Sequence, residues 1–274
     1  MYNISERSAM QSLFRQGAWA LSRWRAASLL IALLLLWEVA ARLIPQRATI
    51  VPAPSQILGV VFKNYSVFIV AIQPTILEAT AGFLIGCTVA LALALVFLRW
   101  QAAEQALYNL AVTLNSVPYL AIIPLLVIWL GNGFAPKIAI AAMATFFPVL
   151  VNATRGLKAS DPQSLDMMHV LGASWIQTLV KLRLPMSLPY LFAAFKISAP
   201  AAVLGATVGE WIGSKTGIGY LILTSMFNFD VLMLWATMLV SALVALSGFL
   251  LFAVLERVTV GRWSEPVGDE DGSA

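Results

Sequence analysis

Residues 76–98 read ILEATAGFLIGCTVALALALVFL, and Glu78 is the only ionisable side chain among them apart from Cys87. At 1.5 Å per residue such a helix reaches about 35 Å, enough to cross about 30 Å of hydrocarbon. A surface helix of a soluble domain would carry a polar stripe every 3.6 residues; no such stripe interrupts this run. Similar apolar runs lie on either side of it, at about 27–44, 106–130, 136–153, 187–211 and 232–255. The expected fold is therefore all-α, a polytopic membrane helical bundle of about six transmembrane helices. Composition agrees: 60% of the 274 residues are hydrophobic and 11% charged, whereas charged residues make up about a quarter of a soluble domain.

Three regions follow. Residues 1–26, with Arg7, Arg15, Arg23 and Arg25, read as a tail; 27–263 form the membrane part, including a polar loop at 154–186; and 264–274 are acidic and expected to be disordered. The first apolar run has basic residues before it, as a secretory signal does. Glu38 and Arg42 mark it instead as a retained span. Pro45, Pro52 and Pro54 predict an irregular loop over 45–66, and an amphipathic stretch from Ser66 to Thr75 leads into the second span. Pro118 and Pro124 cannot donate the helical hydrogen bond at their positions, which predicts a kinked or broken third span. A glycine-containing loop is expected over 212–231.

Basic residues orient the chain. With both termini cytoplasmic, Arg7, Arg15, Arg23, Arg25, Arg99, Arg155, Lys158, Lys181, Arg183, Arg257 and Arg262 lie inside. Arg42, Arg47, Lys63, Lys137 and Lys215 then lie outside. This inward bias fits an even number of spans with both ends cytoplasmic. Because the positive charge is spread over loops, no nucleic-acid partner is expected; the lipid bilayer is the partner that composition demands. One cysteine, Cys87, excludes an intrachain disulfide, and one histidine, His169, makes a His/Cys metal site improbable, so no metal and no cofactor is expected in this chain.

The loop between the fourth and fifth spans is built to fold. Asp161 suits an N-cap, Pro162 the first helical position and Gly172 a C-terminal cap. Ser174 and Gln177 have capping-box spacing and start a second helix, expected to run through Leu184 and stop at Pro185. This helix-turn-helix would show Met167, Met168, Val170 and Leu171 on a face with little charge. Such a face requires a partner, and methionine adapts to irregular pockets.

Here the chain resembles the permeases of binding-protein-dependent ABC importers. Their loop carries E-A-A, three residues, G, nine residues, then I-x-L-P; this chain has Asp166-Met167-Met168, three residues, Gly172, nine residues, then Leu182-Arg183-Leu184-Pro185. The surrounding chain is similar to the nitrate, sulfonate and taurine-type branch at Val117–Leu125, Phe146-Phe147-Pro148, Gly172-Ala173-Ser174, Leu184–Tyr190, Gly209-Glu210-Trp211, Gly217-Ile218-Gly219-Tyr220 and Arg262-Trp263. The resemblance implies a type I ABC importer permease fold. It also implies an ABC ATPase subunit dimer carrying ATP and Mg, a second permease copy or paralogue, and an extracytoplasmic solute-binding protein. Carried over, Asp166, Met167, Met168, His169, Leu171, Gly172, Ala173, Leu184 and Pro185 form the loop that docks the ATPase.

Other constellations divide between function and structure. Gly209–Thr216 has a glancing likeness to a phosphate loop, but Ser214 separates Gly213 from Lys215, so the chain has no ATPase motif and is not expected to be an enzyme. Gly82 and Gly86, and Gly205, Gly209 and Gly213, repeat every four residues, which favours close packing within one chain over a dimer seam. Glu78, Lys196 and Glu210 fall in or near spans and must face protein or water; Lys196 is expected to reach the inner interface. Pro118, Tyr119 and Pro124 are gate candidates. Glu210 and Trp211 are either at the mouth of a pathway or structural, and the residues leave both open. The expected function is the transmembrane subunit of an ATP-driven importer for a small solute: sulfonate-, nitrate- or taurine-like, or a heterocyclic vitamin precursor, towards which the run Ala199–Gly205 leans. The alternatives are a stand-alone secondary transporter or channel, which would show repeated halves and coupling-ion carboxylates, and a membrane-embedded enzyme.

Overall fold

The structure is a computed structural model that describes residues 28–43 and 50–260, and every described element is helical. Helix α1 spans residues 28–43. Then come α2 (Pro54–Lys63), α3 (Tyr65–Arg99), α4 (Gln101–Asn115), α5 (Tyr119–Leu130), α6 (Phe134–Lys158), α7 (Pro162–Val170), α8 (Trp175–Thr178), a π-helical turn (Leu179–Arg183), α9 (Leu184–Gly209), α10 (Ile218–Phe227) and α11 (Val231–Thr259). The expected tails at 1–26 and 264–274, and the Arg262-Trp263 pair, lie outside the described residues.

Among the described residues, four helices are long and apolar enough to cross a membrane: α3, α6, the continuous Trp175–Gly209 unit, and α11. The other two expected spans are also helical. One is α1; the other is broken between α4 and α5 at Ser116–Pro118, where Pro118 takes an extended conformation and N-caps α5. Pro124 sits inside α5 without ending it.

Two stretches expected to be loops contain helices. Proline in the first turn lacks only a donor that would have no intrahelical partner there, so Pro54 starts α2 rather than preventing it. Within 212–231, Gly217 and the apolar run that follows it open α10. The amphipathic segment and second span form one helix through Pro74.

Helix α6 is the centre of the bundle, with α3 and α9 packed along it. Small residues set that closeness. A Cβ on Gly86 would lie 2.5 Å from the Ala142 carbonyl oxygen, and one on Gly205 would lie 2.9 Å from the Ala141 Cα. One on Gly209 would meet the Lys137 Cα at 3.1 Å. The four-residue glycine spacing thus reports packing within the chain, α3 and α9 both pressing on the same stretch of α6 and on each other. Helix α11 packs on α9, and Phe83, Phe195 and Phe252 join α3, α9 and α11 with ring centroids 5.1–5.9 Å apart. Leu84 on α3 and Leu250, Leu251 and Val254 on α11 are exposed, on faces that lipid would cover.

Candidate functional site

The ends of α6 carry the two places where polar chemistry concentrates. Lys137 and Lys158, on its first and last turns, are about 30 Å apart by helical rise, the thickness of a bilayer's hydrocarbon.

At the Lys158 end the chain folds into the expected helix-turn-helix. The Asp161 carboxylate accepts from the Ser164 N–H (3.2 Å), and Pro162 stands in the first turn of α7. Gly172 turns the chain at φ +66°, a conformation that costs an L-residue with a Cβ about 1–2 kcal/mol. A Cβ there would meet nothing within 4 Å, so the glycine serves the backbone angle and not a close approach. The Ser174–Gln177 capping box forms as its spacing predicts: the Ser174 N–H donates to Gln177 Oε1 (2.8 Å) and the Gln177 N–H to Ser174 Oγ (3.3 Å).

Met167, Val170, Leu171 and Ile176 are exposed, Val170 to 85%. Met168 differs from the expectation: it is half-buried, turned away from that face, with Leu165 beside it on the inner side. Asp166 and His169 are exposed, and Ala173 is half-buried. No other described helix packs extensively along α7, so its apolar side is left bare.

Leu184 and Pro185 correct the sequence reading. Pro185 does not stop the second helix, which runs unbroken from Trp175 to Gly209. The physical reason is the π turn: the Leu184 N–H reaches back to the Leu179 carbonyl, one residue further than in an α-helix. The register slips where the proline would leave a donor missing, and α9 begins with Pro185 in its first turn. Arg183 fastens this point to the bundle, its Nη1 donating to the Leu157 carbonyl at the end of α6 (2.8 Å). Leu179 is buried in the same cluster as Leu157 and Ala153.

At the Lys137 end lies a buried charge cluster. Glu210, at the C-cap of α9, is fully buried. Thr75 Oγ1 donates to its Oε1 (2.6 Å), and the Gly219 N–H donates to its Oε2 (2.5 Å). Thr75 Oγ1 in turn accepts from the Ile218 N–H (2.9 Å). Gly217, at φ +113°, and Gly219 wrap this carboxylate, and a Cβ on Gly217 would collide with it. Glu78, also fully buried, pairs with Lys137 Nζ at 3.1 Å. Lys137 also donates to Ser214 Oγ (2.9 Å) and lies over the Phe134 ring. The result is a polar knot joining α3, α6, α9, α10 and the loop between α9 and α10.

Of the expected pathway residues, Glu210 accepts two hydrogen bonds within the bundle, and Trp211 is half-buried beside it with an unpaired, buried indole N–H. Tyr119 is placed elsewhere. It lines an apolar cleft of about 260 Å³ with Val89, Met143, Phe146 and Phe147, where α3, α5 and α6 meet. Lys196 does not stand free; its Nζ pairs with Glu256 of α11 at 2.6 Å.

Sequence reasoning missed Thr75 and took Lys137 for a loop charge. The available signal was a lone Glu78 on one apolar run and a lone Lys137 at the edge of another, since opposite charges in apolar surroundings seek each other. Among the described residues no group of three or more His, Cys, Asp or Glu could hold a metal ion.

A helical membrane bundle with a short helix-turn-helix projecting from one end defines a class, a membrane-spanning transport subunit. Residues 82–263 match the family described as binding-protein-dependent transport system inner membrane component, and the chain belongs to it. It is 31% identical over 229 residues to the formylaminopyrimidine transport permease protein of Halalkalibacterium halodurans, covering 83% of this chain and 91% of that one. It is 30% identical over 245 residues to the riboflavin transport system permease protein of Chloroflexus aurantiacus, covering 88% and 91%. A putative aliphatic sulfonates transport permease protein of Bacillus subtilis is 31% identical over 204 residues, covering 73% and 74%. The chain is thus a multi-pass inner-membrane permease of an ABC importer, in a family that is normally not catalytic.

Proposed function

We propose that this permease forms, with a second copy of itself or a paralogue, the pathway for a small heterocyclic or sulfonate-like solute delivered by an external binding protein. Both termini and the α7–α8 loop face the cytoplasm, and the loop docks a dimer of separate ATPase subunits that carry ATP and Mg. The observation that carries this reading is the bare apolar side of α7 and its turn: Met167, Val170, Leu171 and Ile176 are exposed on an element with almost no intrachain packing. A contiguous apolar face of this kind marks a protein interface. Met168 and Leu165 are half-buried on its other side, while Leu184 and Pro185 fix its angle to α9 through the π turn.

Heterocycles are the favoured solute class. The two relatives named for heterocycle transport match over 83% and 88% of this chain, and two named for sulfonates over 73% and 45%. The Tyr119 cleft, with its aromatic walls, suits a flat ring passing through. Pro118, at the break before α5, and Pro124 allow that wall to shift.

The test is co-expression with the ATPase and binding protein encoded beside it, followed by reconstitution in vesicles. ATP-dependent uptake of the ligand found in that binding protein is expected. If no ATPase co-purifies, or uptake proceeds without ATP, the reading fails.

A further inference from the structure

Helix α4 has two unlike open sides. Gln101, Gln105, Asn109 and Thr113 are all exposed and stand four residues apart, a row that advances only about 40° around the helix at each step. Leu107 and Leu110, also exposed, lie about 150° from the middle of that row. The row runs inward. Glu104 pairs with Lys158 at the end of α6, whereas Ala111, two turns on, lines the Tyr119 cleft beside Met143, Phe146 and Phe147 nearer the middle of α6. Helix α4 therefore climbs from the Lys158 end towards the centre of the bundle and carries Asn109 and Thr113 about 8 and 14 Å inward of Glu104. Among the described residues the amides of Gln101, Gln105 and Asn109 have no hydrogen-bond partner. Facing hydrocarbon they would lose the bonds they make in water, so a row at this depth faces protein or a water-filled cavity. An open cleft of about 460 Å³ lies there, lined by those three residues with Glu104, Tyr108 and Lys158.

We infer that Gln105, Asn109 and Thr113 line the solute pathway between the Tyr119 cleft and the Lys158 end, and that their side chains pass an uncharged, hydrogen-bonding heterocycle rather than an anion. This rests on the permease reading above and narrows its solute. The charges lining the cleft cancel within the Glu104–Lys158 pair, and the open groups that remain are carboxamides. A carboxamide offers donors and an acceptor in one plane, the complement of a ring edge that carries a carbonyl or ring nitrogen beside an amino group. A sulfonate or nitrate presents acceptors only. It gains nothing from the amide oxygens and meets no unpaired cation among the lining residues. Leu107 and Leu110 then face lipid.

The experiment is thiol labelling of the full chain, co-expressed with its ATPase and held in lipid nanodiscs that leave both faces accessible. Cys87→Ala removes the native thiol; Asn109→Cys, Thr113→Cys and Leu110→Cys are then each treated with a charged methanethiosulfonate that does not enter hydrocarbon. Asn109→Cys and Thr113→Cys should react faster than Leu110→Cys by about tenfold or more, since a thiol in apolar surroundings does not ionise to the reactive thiolate. Millimolar cytosine should slow the Asn109→Cys reaction several-fold, and ethanesulfonate should not. Equal rates for Asn109→Cys and Leu110→Cys overturn the inference, because they mark a uniformly wetted helix. So does an unreactive Asn109→Cys that forms a disulfide between two copies, which makes the row a dry seam. Slowing by ethanesulfonate, or by neither probe, overturns the solute class. Should Asn109→Cys fail to fold, Gln105→Cys against Leu107→Cys repeats the comparison one turn nearer the Lys158 end. Failure of the permease reading shows separately, as the absence of a co-purifying ATPase, because the labelling is read without ATP.

Discussion

At the scale of single residues, two glycines and one acid carry different burdens. Gly172 is needed for its angle alone, since a Cβ would meet open space. Gly172→Val should therefore leave insertion and folding intact but misdirect α7, lowering transport-coupled ATPase activity several-fold, whereas Gly172→Asn, which tolerates the left-handed region, should retain most of it. ATPase assays with and without loaded binding protein distinguish the two. Gly217 combines a positive φ with contact on Glu210, so Gly217→Ala should cost about 2 kcal/mol or more and show as a lower melting temperature. Glu210→Gln keeps one acceptor oxygen where the native acid uses two, and about 1–3 kcal/mol should be lost with the unpaired donor. Uptake by the folded fraction should keep its KM. A raised KM with an unchanged melting temperature would return Glu210 to the pathway.

At the scale of elements, the π turn decides how the helix-turn-helix meets the bundle. One residue of helical register is about 100° of rotation, so a turn that absorbs an extra residue sets which side of α8 faces outward. Pro185→Ala restores a donor and removes the reason for the slip. The variant should insert and melt like the wild type yet lose much of its coupled ATPase activity, because α7 and α8 would swing away from the face they now present. Retained coupling would show that the register at Leu179–Arg183 does not orient the loop. The caps of this region were legible in the sequence because they are local: Asp161, Pro162, Gly172, Ser174 and Gln177 act within four residues of themselves. The π turn was not, because sequence rules treat a proline as a stop and cannot see the Arg183 bond to Leu157, which makes continuing the helix worthwhile. Likewise Lys137 reads as a loop charge until α6 brings it against Glu78 of α3.

At the scale of the whole molecule, lipid removes the usual driving force for helix association, since its tails are as apolar as leucine. What remains is the fit of backbones and the few polar contacts, and these are asymmetrically placed. Helix α6 is pressed by α3 through Gly82 and Gly86 and by α9 through Gly205 and Gly209, and the knot and the Arg183–Leu157 bond tie the bundle at its two ends. Neighbouring positions on α9 test this division. Gly205 faces Ala141 with no room for a side chain, while Leu204 is 57% exposed. Gly205→Leu must part α9 from α6 along several turns, losing close contact that the membrane cannot replace, and should abolish the folded, monodisperse species. Leu204→Ala changes side-chain volume by nearly as much as Gly205→Leu, yet at an exposed position it should shift the melting temperature little, within about 0.5 kcal/mol of the wild type. Size-exclusion profiles and thermal melts of the two variants check this. Equal tolerance of both would mean that α6 is not the axis on which the bundle is assembled.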